Sequence, residues 1–267
     1  MFRITSHQYE VLQAEAVSAF EASMIERCSE LSPVVAAVLG KDGLLVFIRG
    51  ARDRAASHGF SNVGPVRLFI ELSLLFGSGF DADVQYPWAK ESLGSGDPET
   101  QIGRSNTLFE RSMEAMGRVY GSGGEAKYAA LRGLQALLLA PPPLRADEFA
   151  AVALAEMARV HPQKFEFVGE PALRSLIAAG TAEASAHGLT ELSDAWLLVF
   201  LMFAFGQGCS KDPLYPWIGR TLRSEKIATP ALRAGQLREK SLLWMRAVVA
   251  NKDNNINNNT AAKGVSS

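Results

Sequence analysis

Apolar residues recur every three to four positions along nearly the whole chain, and sustained strand-type alternation is absent, so the pattern predicts an all-α protein. Residues 7–31 read as a long amphipathic helix, with Tyr9, Leu12, Ala16, Phe20, Met24 and Cys28 on one stripe and Pro33 interrupting it. Asp42 or its neighbour suits the start of a next helix that runs to Ser57 and stops at Gly59. A strongly apolar helix then begins at Pro65 behind Gly64, and a second one at Asp194 behind Ser193; they end at Gly77 and Gly206. After each, a loop leads to Tyr-Pro-Trp, where proline opens a short helix. Residues 105–120 and 231–250 predict two further helices, and Glu125–Leu139 a bridging one. Ala140-Pro141-Pro142-Pro143 cannot continue a helix and reads as a stiff spacer.

The pattern occurs twice. His58–Leu93 aligns without a gap on His187–Leu222, an offset of 187 − 58 = 129, with 12 identities in 36 positions. Ordinary composition would give only about two or three. Outside that block the same offset pairs Pro33 with Pro162, Ile48 with Ile177, and Leu108, Glu110, Ser112 and Met116 with Leu237, Glu239, Ser241 and Met245. The expected organisation is therefore a helical repeat over 1–120, a linker helix and proline spacer over 121–143, and a second repeat over 144–250. The asparagine-rich 251–267 is expected to be a disordered tail, and the repeats are expected to pack as one body around the apolar helix 195–205.

What both copies keep reads as scaffold: Phe-Gly-x-Gly gives the chain a sharp exit, and Tyr-Pro-Trp folds back as an aromatic plug. His58 and His187 sit where an imidazole can bond the last carbonyls of a helix. What the copies do not share is free for function. Arg67, Glu71 and Ser73 stand where the second copy has Trp196, Phe200 and Met202, and the apolar version is expected to be buried rather than to meet a partner. Asp81 faces Ser210 across the alignment. From Arg220 to Arg246 there are seven basic and two acidic residues, either a solvated face or a docking face for an acidic partner. The partner-binding residues expected on these grounds are Arg67, Glu71, Asp81, Arg220, Arg223 and Arg238.

Composition narrows the classes. A net charge of −1 gives no general argument for nucleic acid or a membrane surface. The longest apolar run, Ala195–Phe205, is too short to cross a bilayer, and the polar amphipathic opening MFRITSHQYEVLQAEAV does not read as a secretory signal. Cys28 and Cys209 form no disulfide framework, which fits a reducing compartment. GxSxG, GxxxxGK[ST], HExxH and strand-borne GxGxxG are all absent, the four histidines lack metal-ligand spacing, and the glycine cluster 121–124 follows a helix and reads as a hinge. Asp81 and Asp83 are too few for a calcium site, and the shared Asp83 and Asp212 are expected to hold turns. No catalytic residue, metal or cofactor is assigned.

The opening Phe2-Arg3-Ile4-Thr5, then His58-Gly59-Phe60, Leu75-Phe76-Gly77-x-Gly79-Phe80-Asp81-x-Asp83 and Tyr86-Pro87-Trp88-Ala89, resembles a group of bacterial helical proteins encoded beside type VI secretion PAAR and spike proteins and their toxins. The resemblance covers residues 2–93, with a degenerate echo at 144–222 that departs from it at Cys209 and Ser210. It implies a non-enzymatic, cytoplasmic immunity protein that binds and neutralises a cognate toxin. The alternatives are a chaperone or adaptor that loads the toxin onto the spike, and a helical enzyme without a recognisable motif.

Overall fold

The structure is a computed structural model that describes residues 5–94, 100–121 and 123–264, with side chains placed through Lys252. Residues 2–4, the start of the family-like opening, Ser122 within the glycine cluster and the last three residues of the asparagine-rich end lie outside the described residues. Among the described residues the chain forms twelve helices and no strand. The first half holds α1 (Ser6–Leu31), α2 (Pro33–Ser57), α3 (Val63–Phe76), α4 (Pro87–Gly94) and α5 (Gln101–Tyr120). The bridge is α6 (Glu125–Leu139). The second half holds α7 (Phe149–Val160), α8 (Pro162–Val168), α9 (Glu170–Ala186), α10 (Leu192–Phe205), α11 (Pro216–Leu222) and α12 (Pro230–Gly264).

Backbone geometry matches at positions 129 apart. Ser32 and His161 both break the helix before a proline, at φ −143, ψ 76 and φ −144, ψ 71. Gly40 kinks α2 at φ 62, and Gly169, at φ 82, separates α8 from α9. Gly77 and Gly206 end α3 and α10 at φ 103 and φ 99, a region that favours glycine. The carbonyl of His58 accepts Arg104 Nη1 at 2.8 Å, and that of His187 accepts Arg233 Nη2 at 3.1 Å. Each arginine ties the end of one helix to the start of another.

The halves join through their loops. Asp83 Oδ2 accepts the backbone N–H of Gln207 at 2.7 Å, and Asp212 Oδ2 accepts that of Ser78 at 2.8 Å. Gly77 and Gly206 lie under these carboxylates: a Cβ on Gly77 would stand 3.1 Å from the Phe205 carbonyl oxygen, and one on Gly206 3.1 Å from Asp83 Oδ2. Each aspartate also holds its own turn, Asp83 Oδ1 accepting from Gln85 N and Asp212 Oδ1 from Leu214 N. The turn role expected for these residues holds, and it extends across the molecule.

The core is one continuous cluster, and α10 runs through it. Every residue of α10 from Asp194 to Phe203 is buried, Trp196 and Phe200 among them, with Trp196 meeting Phe149 edge-on at 5.8 Å. The apolar face of the second copy is thus core and not a docking surface. The Tyr-Pro-Trp plug packs as expected: Phe76 meets Tyr86 at 5.1 Å and Trp88 at 5.4 Å.

Four expectations need correction. The central helices begin two residues earlier than read, behind Asn62 and Glu191, and neither residue makes a side-chain cap bond. The helical run expected to start at Asp42 or its neighbour does start there, just past the non-helical Gly40, but a further run from Pro33 precedes it, so α2 as a whole spans two runs joined at a kink. The helix α12 carries on through the asparagine run to Gly264, where a disordered tail was expected. The stripe on α1 is only partly core: Met24 and Cys28 are buried, but every residue from Thr5 to Ala19 is exposed. The reason is architectural, since the matching stretch 135–148 of the second half is the end of α6 and the proline spacer, and α7 starts only at Phe149.

Candidate functional site

The glycine that stops α10 leaves a helix C-terminus inside the protein. The last carbonyls of a helix have no partner within it, and a buried carbonyl must find one. Met202 O accepts the Gly206 N–H at 2.9 Å and Gln85 Nε2 at 3.0 Å. Phe203 O accepts Lys164 Nζ at 2.6 Å. The ammonium lies over the rings of Phe203, at 4.8 Å, and Tyr86, at 5.7 Å. A cation is stabilised both by a helix C-terminus and by aromatic faces. Burial nevertheless lowers the Lys164 pKa to about 8, with the Asp83 carboxylate opposing the shift.

Lys164 faces inward because α8 is a short helix of about two turns opened by Pro162, which buries Lys164 and Val168 four residues apart. His161, the residue before that proline, is buried too. Its Nδ1 accepts the Lys164 backbone N–H at 3.4 Å, which leaves the proton on Nε2, a buried atom without a hydrogen-bond partner. Burial first, and the Lys164 charge second, push its pKa down to about 4, with Gln163 opposing. Tyr120, at the end of α5, hydrogen-bonds Tyr86, and burial raises its pKa to about 12. Lys127 of α6 holds its Nζ 5.7 Å from the Tyr120 ring, and burial alone lowers its pKa.

These groups line a cavity of about 150 Å³ between the α1–α2 junction, α6, α10 and α12. Leucines 31, 74, 131 and 134 form much of its apolar wall, and no carboxylate lines it among the described residues. Its polar end therefore offers hydrogen-bond donors and positive charge. Such a set can hold an anion or polarise a carbonyl oxygen; it lacks a carboxylate base.

The residues expected to bind a partner do not gather here or anywhere else. Arg67 is exposed and pairs with Glu71, at 3.1 Å, which Arg27 also holds at 2.9 Å. Both lie on α3, which packs on α1, α2 and α5. Arg220 and Arg223 are exposed at the end of α11, and Arg238 is half-buried on α12. Among the described residues, no hydrogen bond or ion pair joins the first group to the second. Asp81 is no surface residue. It is buried, it is ion-paired with Arg54, and it meets His58 Nε2 at 2.7 Å. The His58 ring is thus taken by a carboxylate, not by the last carbonyls of α2. In the second half Ser210 replaces Asp81, Glu183 replaces Arg54, and His187 Nε2 lies 3.7 Å from Glu183. Each half keeps one carboxylate for its histidine but draws it from a different element.

Lys164, His161, Tyr120 and Lys127 were missed because the repeat was compared closely only over 58–93. The signal was present at the same offset. Lys164 matches Val35, a buried apolar position in the first half, and His161 matches Ser32.

No family model matches the chain, and comparison with curated proteins and with solved structures gives no match.

Proposed function

We propose that this chain is a non-enzymatic binding protein, and specifically a cytoplasmic immunity protein that neutralises a cognate toxin of a type VI secretion system. The observation that supports a docking role is the free part of α1. Tyr9, Leu12 and Val17 are 62%, 54% and 40% exposed on a stretch of about four turns, 5–19, in which every residue is exposed. An apolar groove continues from Val17 and Phe20 to Ala56, Phe60, Val63 and Val66, with Val63 68% exposed. Singly exposed apolar residues are ordinary, but a contiguous apolar face on an uncovered helix suits a protein partner. Glu10 and Glu15 stand exposed on the same stretch of α1 and favour a basic partner there, while Asp53 in the groove is paired with Arg52. Among the described residues no helix is long and apolar enough to cross a membrane.

The test is growth protection. Expressed with the toxin gene encoded beside it, the chain should rescue growth, and Leu12→Asp with Val17→Asp should abolish rescue while leaving the melting temperature unchanged. Rescue by that variant would remove α1 from the interface. Binding to the toxin's delivery region without rescue would favour the chaperone role.

A further inference from the structure

We propose that the cavity behind α6 is a binding site for a small carboxylate carrying an apolar group, with Lys127 and Lys164 holding its charge. Lys164 has a structural task, the Phe203 carbonyl, and that task uses one of its three N–H groups. Among the described residues Lys127 has none: its ammonium stands over the Tyr120 ring, and burial is the influence that lowers its pKa. A charge taken out of water is costly unless it is paired, yet the buried Lys164 and the half-buried Lys127 line one cavity in which no carboxylate stands among the described residues. His161 Nε2 is a third donor there, buried and without a partner. A monoanion supplies the missing acceptors for all three.

The size and walls of the cavity select the rest of the ligand. A cavity of about 150 Å³ accommodates a molecule of about benzene's size. Leu74, Leu131 and Leu134 line it as well, so a small apolar body fits beside the charged head. The site has no arginine fork and no glycine nest. Those are the devices that satisfy the many oxygens of a phosphate, whereas a carboxylate needs fewer donors. The site lies apart from the α1 groove and does not depend on the proposed partner.

Benzoate is the probe, titrated calorimetrically into the full chain, with benzamide as its neutral isostere and inorganic phosphate as the competing anion. The expected result is saturable 1:1 binding of benzoate, at least about tenfold weaker binding of benzamide, and no displacement by phosphate. Lys127→Met should weaken benzoate about tenfold or more without lowering the melting temperature, because that side chain caps nothing. Lys164→Met should weaken it as well, but it also removes the bond to the Phe203 carbonyl, so the Lys127 variant is the decisive one. Equal binding of benzoate and benzamide would reduce the site to an apolar void. Undiminished benzoate binding by Lys127→Met, preference for phosphate, or no saturable benzoate binding would each overturn the proposal.

Discussion

Asp83 and Asp212 each close the other half's loop, with Asp83 accepting from Gln207 N at 2.7 Å and Asp212 from Ser78 N at 2.8 Å. Their positions differ by the repeat offset, so the contact is reciprocal, as in an isologous dimer, but within one chain. Asp83→Ala or Asp212→Ala leaves two buried N–H groups unpaired, one in each half. Each variant should lose about 2–4 kcal/mol, and the double variant should lose less than the sum if the first break already loosens the shared interface. Urea denaturation of the three variants checks this. Losses under about 0.5 kcal/mol would show that water satisfies the freed groups.

The pair at 161 and 164 predicts two pH windows. The folded pKa of His161 is lowered, to about 4, against an ordinary 6.5, so the unfolded chain binds more protons between those values. Stability should therefore fall as pH drops from about 6.5 to about 4, by about 2–3 kcal/mol. The folded pKa of Lys164 is also lowered, to about 8 from 10.5. The unfolded chain again binds more protons, and stability should rise as pH increases from about 8 to about 10.5. Denaturation midpoints across pH 4–10.5 test both windows. His161→Gln should flatten the acid limb. Lys164→Met should flatten the alkaline limb and change stability little at neutral pH, since relief of the buried charge offsets the lost bond to Phe203.

Much of this architecture was legible in the sequence because it rests on local rules. The bridging helix Glu125–Leu139, the glycine stops at Gly77 and Gly206 and the proline-led α4 and α11 all depend on a few neighbouring residues. The start of α3 was misread because Pro65 and Gly64 are strong signals, and the actual first turn from Val63 carries none. The exposure of α1 was misread for a different reason. Periodicity shows which face of a helix is apolar, not whether another element is present to cover it. The cavity was hidden because its polar groups come from α5, α6 and α8, and no spacing along the chain relates them.

Arg54 and Asp81 should behave as a unit that the second half has rewritten. Asp81→Ser copies the residue at 210, strips His58 and Arg54 of their shared carboxylate, and should cost about 2–3 kcal/mol. Arg54→Glu copies position 183 and, beside Asp81, sets two carboxylates together; it should cost at least as much. The double variant reproduces the pattern of Glu183, His187 and Ser210, and should recover about half or more of the summed loss. A double-mutant cycle from chemical denaturation measures the coupling. Additive losses would mean that the two halves reached their arrangements through unrelated packing.

Helices α9 and α10 cross closely at Gly180. A Cβ on Gly180 would stand 2.7 Å from Val199 Cγ2 and 2.9 Å from its Cα, and the second of these is backbone that cannot rotate away. The matching residue of the first half is Ala51, which is buried without strain, so the second half has drawn its central helix closer. Gly180→Ala should then destabilise by about 1–3 kcal/mol, although alanine is the better helix former by about 1 kcal/mol. Gly180→Ala combined with Val199→Ala should recover little: it removes the Cγ2 clash, leaves the backbone one, and opens a cavity in the core. Thermal unfolding of both variants decides the point. A rise in melting temperature on Gly180→Ala would show that the helices can part without cost, and would leave the close crossing without a structural role.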